Sequence, residues 1–192
     1  APFMARPLSE AKREAILAAA CKLVAEHGTG APTAKIAKEA RLAEGTLFTY
    51  FASKDALLNQ LYLELKTDFA RLTVPSYPAN GSVRDRFEHF WNGFIDWGAK
   101  HPAKRKALRQ LAVSGRITQE TRDKSAVAFA EISALFEQGH RDGLLKDQPQ
   151  SFIGAVLDAM GTMTLDLIAQ EPARHEHYRK TGFSVFWDGI ST

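Results

Sequence analysis

Apolar residues along this chain recur at the spacing of helices, and strand-like alternation is absent. Ile16, Ala20, Leu23 and Val24 form the stripe of a first helix that starts after Ser9 and ends near His27-Gly28. Glu10 falls in its first turn, and Gly28 is well placed as its C-terminal cap. A loop over 29–32 leads to Thr33, whose hydroxyl suits a helix N-cap. Two short helices are predicted next, over 33–40 and 44–50, joined at Arg41-Leu42-Ala43. Ile36, Ala37 and Ala40 share one face of the first, while Leu42, Leu47 and Phe51 point inward from the joint and the second. Ser53 is the expected N-cap of a longer helix to about Leu72, with Leu57, Leu58, Leu61, Tyr62, Leu65 and Phe69 at helical spacing.

Pro75, Pro78, Asn80 and Gly81 make 73–82 the clearest linker. Beyond it, helices are predicted over about 82–100, from Pro102 to before Gly115, 119–142, 150–170 and 173–190. In the helix over 82–100, Val83, Phe87, Phe90, Trp91, Phe94, Ile95 and Trp97 fall in one broad stripe. In the helix over 119–142, Val127, Phe129, Ile132, Leu135 and Phe136 are read as inward. The fold class is therefore all-α, with about nine helices.

The 33–54 stretch carries the most specific chemistry. With Leu47 and Phe51 inward, the second short helix presents Glu44, Gly45, Thr46, Phe48, Thr49 and Tyr50 outward. A major groove admits such a helix when a second one braces it. Threonine methyls and aromatic rings can touch thymine methyls, and hydroxyls can bond bases or phosphates. Phosphate contacts fall to Lys54 at the start of the longer helix, to Thr33 with the first N–H groups of its helix, and to Lys35.

Thr33, Ile36-Ala37, Ala40, Gly45-Thr46-Leu47-Phe48, Tyr50-Phe51, Ser53-Lys54 and Leu57 match the N-terminal segment of the TetR (tetracycline-repressor-like) family of transcriptional regulators without a gap. The resemblance implies a three-helix helix–turn–helix DNA-binding domain at 9–55. It also implies an effector-binding and dimerisation domain at 56–192, which resembles the family in layout only. By that resemblance the chain is a repressor, binding a palindromic double-stranded DNA operator as a homodimer. The dimer would form through the helices over about 150–170 and 173–190, and a small apolar or aromatic effector would release the DNA. Two positions depart from the pattern. Arg41 stands where the family turn usually has Gly, which strains the backbone if φ is positive there. Glu44 stands where Lys, Arg or a neutral residue is usual; phosphates repel a carboxylate, though it can accept from cytosine.

Candidate effector-pocket residues are Phe87, Phe90, Trp91, Phe94, Phe129, Phe136, Met160 and Met163, with His89, Arg109 and Asp166 as possible polar contacts. Taken singly, each reads more readily as plain core, with a pocket expected somewhere among them. Gly154, Ala155, Ala159, Gly161 and Thr162 would permit close helix approach, and Phe183, Val185, Phe186 and Trp187 make the last helix apolar enough to want a partner.

Charge adds little. The net charge is +3, and between Arg6 and Asp55 eight Lys/Arg against six Asp/Glu leave +2. The single cysteine, Cys21, excludes an internal disulfide framework, fits a reducing cytoplasm, and sits on the inner side of the first helix with Leu17 and Val24. No run of about 18 apolar residues is read, so no membrane span is expected. Zinc-type spacing, a phosphate-binding Gly loop and a nucleophile elbow are absent, so no cofactor, metal or catalytic residue is assigned and an enzyme is the weaker reading. An all-α binding protein of the same fold that has lost DNA binding stays open, supported by Glu44 and the low charge. Ala1-Pro2-Phe3 reads as an addition ahead of a natural start at Met4.

Overall fold

The computed structural model describes residues 9–192, so the expected start at Met4 lies outside the described residues. These residues form ten α-helices and no named strand. They pack into two compact units, one of residues up to Lys66 with Pro102–Ser125, the other of Thr67–His101 with Ala126–Thr192. The boundary expected at residue 55 falls within the first of these units.

The first unit holds α1 (Glu10–His27), α2 (Thr33–Glu39), α3 (Glu44–Tyr50), the first part of α4 (Lys54–Thr73), and α6 (Pro102–Val113). Ser9 caps α1 by accepting from the Lys12 N–H, and Gly28 ends it at φ 73°. Ser53 caps α4 by accepting from the Ala56 N–H at 3.0 Å. Ile16, Ala20, Val24, Ile36, Leu47, Leu57 and Leu58 are fully shielded from solvent, and Ala107 and Leu111 of α6 join them. Burying each large aliphatic side chain contributes about 1.5–3 kcal/mol, so this core fixes the pose of α2 and α3. The α6 contribution had no local signal, because nothing in its own stripe names α1 as its neighbour.

The second unit is built on α5 (Val83–Lys100), α8 (Ala130–Arg141), α9 (Gln150–Gln170) and α10 (His175–Ile190). Its core joins Val83, Phe87, Trp91 and Ile95 of α5 to Leu135, Phe136, Leu165, Phe183 and Phe186. The one helix expected over 119–142 is two, α7 (Gln119–Val127) and α8. The break falls at Phe129, which leaves helical geometry at φ −120°, ψ 24°. Its ring is thereby buried 5.5 Å from Phe69 and 6.1 Å from Phe90. Val127, expected inward, is 76% exposed on the far side of this break. Gly161 does not await a partner helix: the space a Cβ would take is filled by the Phe94 ring of the same chain.

By length and composition α9 is apolar enough to cross a bilayer, contrary to the reading that no such run exists. Its apolar residues include Ile153, Leu165 and Ile168, which are buried against the rest of the unit.

Candidate nucleic-acid interface

The helix–turn–helix is α2, a tight joint and α3. At the joint Arg41 takes φ 59°, and it is the one non-glycine with positive φ among the described residues. The Leu42 N–H reaches back to the Ala37 carbonyl at 2.9 Å and closes the end of α2. An L residue in this left-handed region is strained by roughly 1–2 kcal/mol. The turn therefore adopts the conformation that its usual glycine would supply, with arginine in its place.

Thr33 is not the N-cap. That position is Pro32, which offers no side-chain bond, and Thr33 is the first residue of α2. Its hydroxyl instead donates to Glu44 Oε1 of α3 at 2.5 Å. On α3, Phe48 is 42% exposed, and Gly45 and Thr49 are exposed as expected. A Cβ added at Gly45 would meet nothing within 4 Å and φ there is ordinary, so the fold itself does not require glycine. Thr49 bonds back to the Gly45 carbonyl at 3.1 Å. Thr46 and Tyr50 are half-buried. The Tyr50 hydroxyl accepts from the Ser9 N–H at 3.0 Å, which braces α3 against the start of α1.

Lys54 opens α4 and is half-buried. Partial burial first, and then the nearby Arg116 charge, hold its ammonium below the usual lysine value. An anion at this place would relieve both effects. Arg116 is the residue the sequence missed. It sits 61 positions from its ion-pair partner Asp55, at 2.9 Å. Asn59 holds the segment in place, donating to the Arg116 carbonyl at 3.0 Å and accepting from the Thr118 N–H at 2.9 Å. Lys35, exposed, lines a recess of about 510 Å³ with Leu23, Lys38, Glu39 and Arg41.

In the second unit the candidate effector residues divide into two groups. Phe87, Trp91 and Phe136 belong to the central core, where Trp91 stacks on Phe186 at 5.9 Å and Phe87 meets Phe136 edge-on at 5.0 Å. Met160 is partly buried against them. Phe90, Phe94 and Phe129 surround Phe69 at 5.4, 5.9 and 5.5 Å, with Trp97 beside them at 5.6 Å. Met163 joins neither group and is 51% exposed. His89 borders a separate recess of about 320 Å³ with Leu72, Trp97 and Lys100. Arg109 lies on α6, in the first unit, and Asp166 is exposed on α9.

Residues 16–61 match the family described as bacterial regulatory proteins, tetR family. The chain is 28% identical over 150 residues to YdeS of Bacillus subtilis (strain 168), an uncharacterized HTH-type transcriptional regulator, covering 74% of this chain and 71% of that one. A solved structure from Shewanella sp. PV-4, described as a tetR family transcription regulator, superposes with a TM-score of 0.84 at 29% identity, covering 94% of this chain and 98% of the other. A TetR family transcription regulator from Marinobacter aquaeolei VT8 gives a TM-score of 0.83 over 95% of this chain and 96% of its own; at 23% identity it speaks for the fold alone. The gap-free match through the helix–turn–helix, the arginine in the glycine conformation of its turn, and the shared all-α fold lead to one assignment: the chain is a TetR-family transcriptional regulator.

Proposed function

We propose that this regulator is a ligand-responsive repressor that binds a palindromic operator as a homodimer. The observation that carries the reading is the face of α3, with Gly45, Phe48 and Thr49 exposed and Lys54 at the next helix start. Glu44, Thr46 and Tyr50 border that face, and Thr33 and Lys35 lie on α2. The proposed DNA-binding domain is the 9–55 segment, and the effector and dimerisation functions fall to the remainder. Lys54, with Arg116 beside it, is the proposed phosphate anchor, since a cation at the start of a 20-residue helix adds to the partial positive charge of the helix end.

The proposed effector is apolar or aromatic and takes its place among Phe87, Phe90, Trp91, Phe94, Phe129, Phe136 and Met160. It releases DNA only by binding the DNA-incompetent state more tightly. The proposed dimer face is α9 with α10. Phe152, Ala155, Ala159 and Met163 recur three to four apart on α9 and are all exposed, as is Val185 on α10. A stripe of this kind is a candidate interface.

The test is binding to DNA flanking its own coding region, at several salt concentrations. Lys54→Ala is expected to weaken binding to every sequence and to reduce the salt slope by about one unit. An unchanged slope removes Lys54 from the interface. If the wild type forms no specific, salt-sensitive complex, the protein is a binding module that has lost DNA recognition, the reading Glu44 favours.

A further inference from the structure

We propose that Glu44 is a specificity-determining residue that selects cytosine, and that Thr33 is its positioning residue and not a phosphate contact. The proposal rests on the DNA-binding reading above. Its basis is the hydrogen bond that joins the first residue of α2 to the first residue of α3. A threonine hydroxyl has one proton to donate. Here that proton is committed to Glu44 Oε1 at 2.5 Å. A phosphate oxygen only accepts, so while the bond holds the Thr33 hydroxyl has nothing to offer it. The hydroxyl is also not spent on capping α2, because Pro32 holds the cap position.

The Glu44 carboxylate is itself acceptor-only. One oxygen takes the Thr33 proton, and the other makes no hydrogen bond among the described residues. The side chain is exposed at the edge of the α3 face. In the major groove, guanine presents two acceptors and thymine presents an acceptor and a methyl group, so neither can satisfy that oxygen. Adenine offers its N6 amino group, but its N7 acceptor lies alongside. Cytosine offers an N4 amino group with no adjacent acceptor. Cytosine is therefore the base a fixed carboxylate takes, and guanine or thymine leave a charge facing lone pairs. Glutamate has several rotatable bonds, and the Thr33 bond holds them in one geometry before DNA arrives. That preorganisation is what turns a residue unfavourable near phosphates into a selective one.

The experiment selects binding sites from a randomised duplex library with the wild type, Glu44→Gln, Thr33→Val and Thr33→Ser. The wild type is expected to enrich cytosine at one position of each half-site. Glu44→Gln is expected to move that position to adenine, because a carboxamide can bond N6 and N7 together. Thr33→Val removes only the hydroxyl and is expected to flatten the same position by about fivefold, leaving the other positions and the salt slope unchanged. Thr33→Ser keeps the proton and is expected to restore the preference. The proposal is overturned if Glu44→Gln leaves the cytosine preference intact. It is equally overturned if Thr33→Val weakens all sequences alike, which would make the Thr33 hydroxyl a phosphate contact. A wild type that enriches some sequence without cytosine at any Glu44-dependent position overturns this proposal alone. A wild type that enriches nothing overturns the DNA-binding reading itself.

Discussion

Arg41 shows how one side chain can be kept against its own conformational preference. At φ 59° it occupies backbone space that glycine enters freely. Replacing it with glycine removes strain of roughly 1–2 kcal/mol, offset by about 0.5–1 kcal/mol of extra chain entropy in the unfolded state. Arg41→Gly is therefore expected to raise Tm by about 2 °C, measured by thermal unfolding. A lower Tm would mean that the arginine side chain contributes contacts outweighing the strain. The position itself was legible in the sequence, because the turn demands a glycine-like residue and Arg41 stands in its place. The bond from Thr33 to Glu44 was not legible. Threonine before a short helix reads as a cap, and only the packed pose of α2 on α3 shows that the hydroxyl points to another helix.

At the scale of the element, local chemistry was the most readable part. Ser53 caps α4 as the sequence expects, and α1 starts after Ser9 as read, since a serine cap needs only the next three residues. Ser82, read as the first residue of α5, is its cap instead. What failed was anything set by distant packing. Phe129 breaks the expected long helix because its ring is better buried against Phe69 than left on a continuous helix. Arg116 reaches the start of α4 through its ion pair with Asp55 and the Asn59 bonds, across a long stretch of chain. The capping box of α5 gives an element-level prediction. The Ser82 hydroxyl first, and then the Ser82 N–H, hold the Asp85 carboxyl below its ordinary value of 3.8. A carboxylate depressed by folding stabilises the native state above its unfolded pKa and loses that contribution as pH falls through the folded value. Asp85→Asn is expected to melt below the wild type near neutral pH, with the two Tm values converging below pH 3.8. A gap that persists in acid would mean the charge is not what stabilises the cap.

For the whole molecule, the question is which surface would join the two copies of the proposed dimer. The α9 stripe of Phe152, Ala155, Ala159 and Met163 lies outside the unit's own core. Met163 is 51% exposed, so a charge there leaves the chain's own packing in place. Met163→Glu is expected to shift the mass measured by light scattering from dimer towards monomer, with helicity unchanged. An unshifted dimer places the interface elsewhere. The sequence led to α9 through its small residues, yet Gly161 serves the chain's own Phe94, and the outward stripe emerges only once burial is known.

The division into two units also sorts the chain's natural spectroscopic reporters. All three tryptophans, Trp91, Trp97 and Trp187, belong to the second unit, and the single thiol, Cys21, is buried in the first. Indole emission therefore reports on the second unit, while the rate at which an alkylating reagent captures Cys21 reports on opening of the first. The unmodified protein thus carries a separate clock in each of its two compact units.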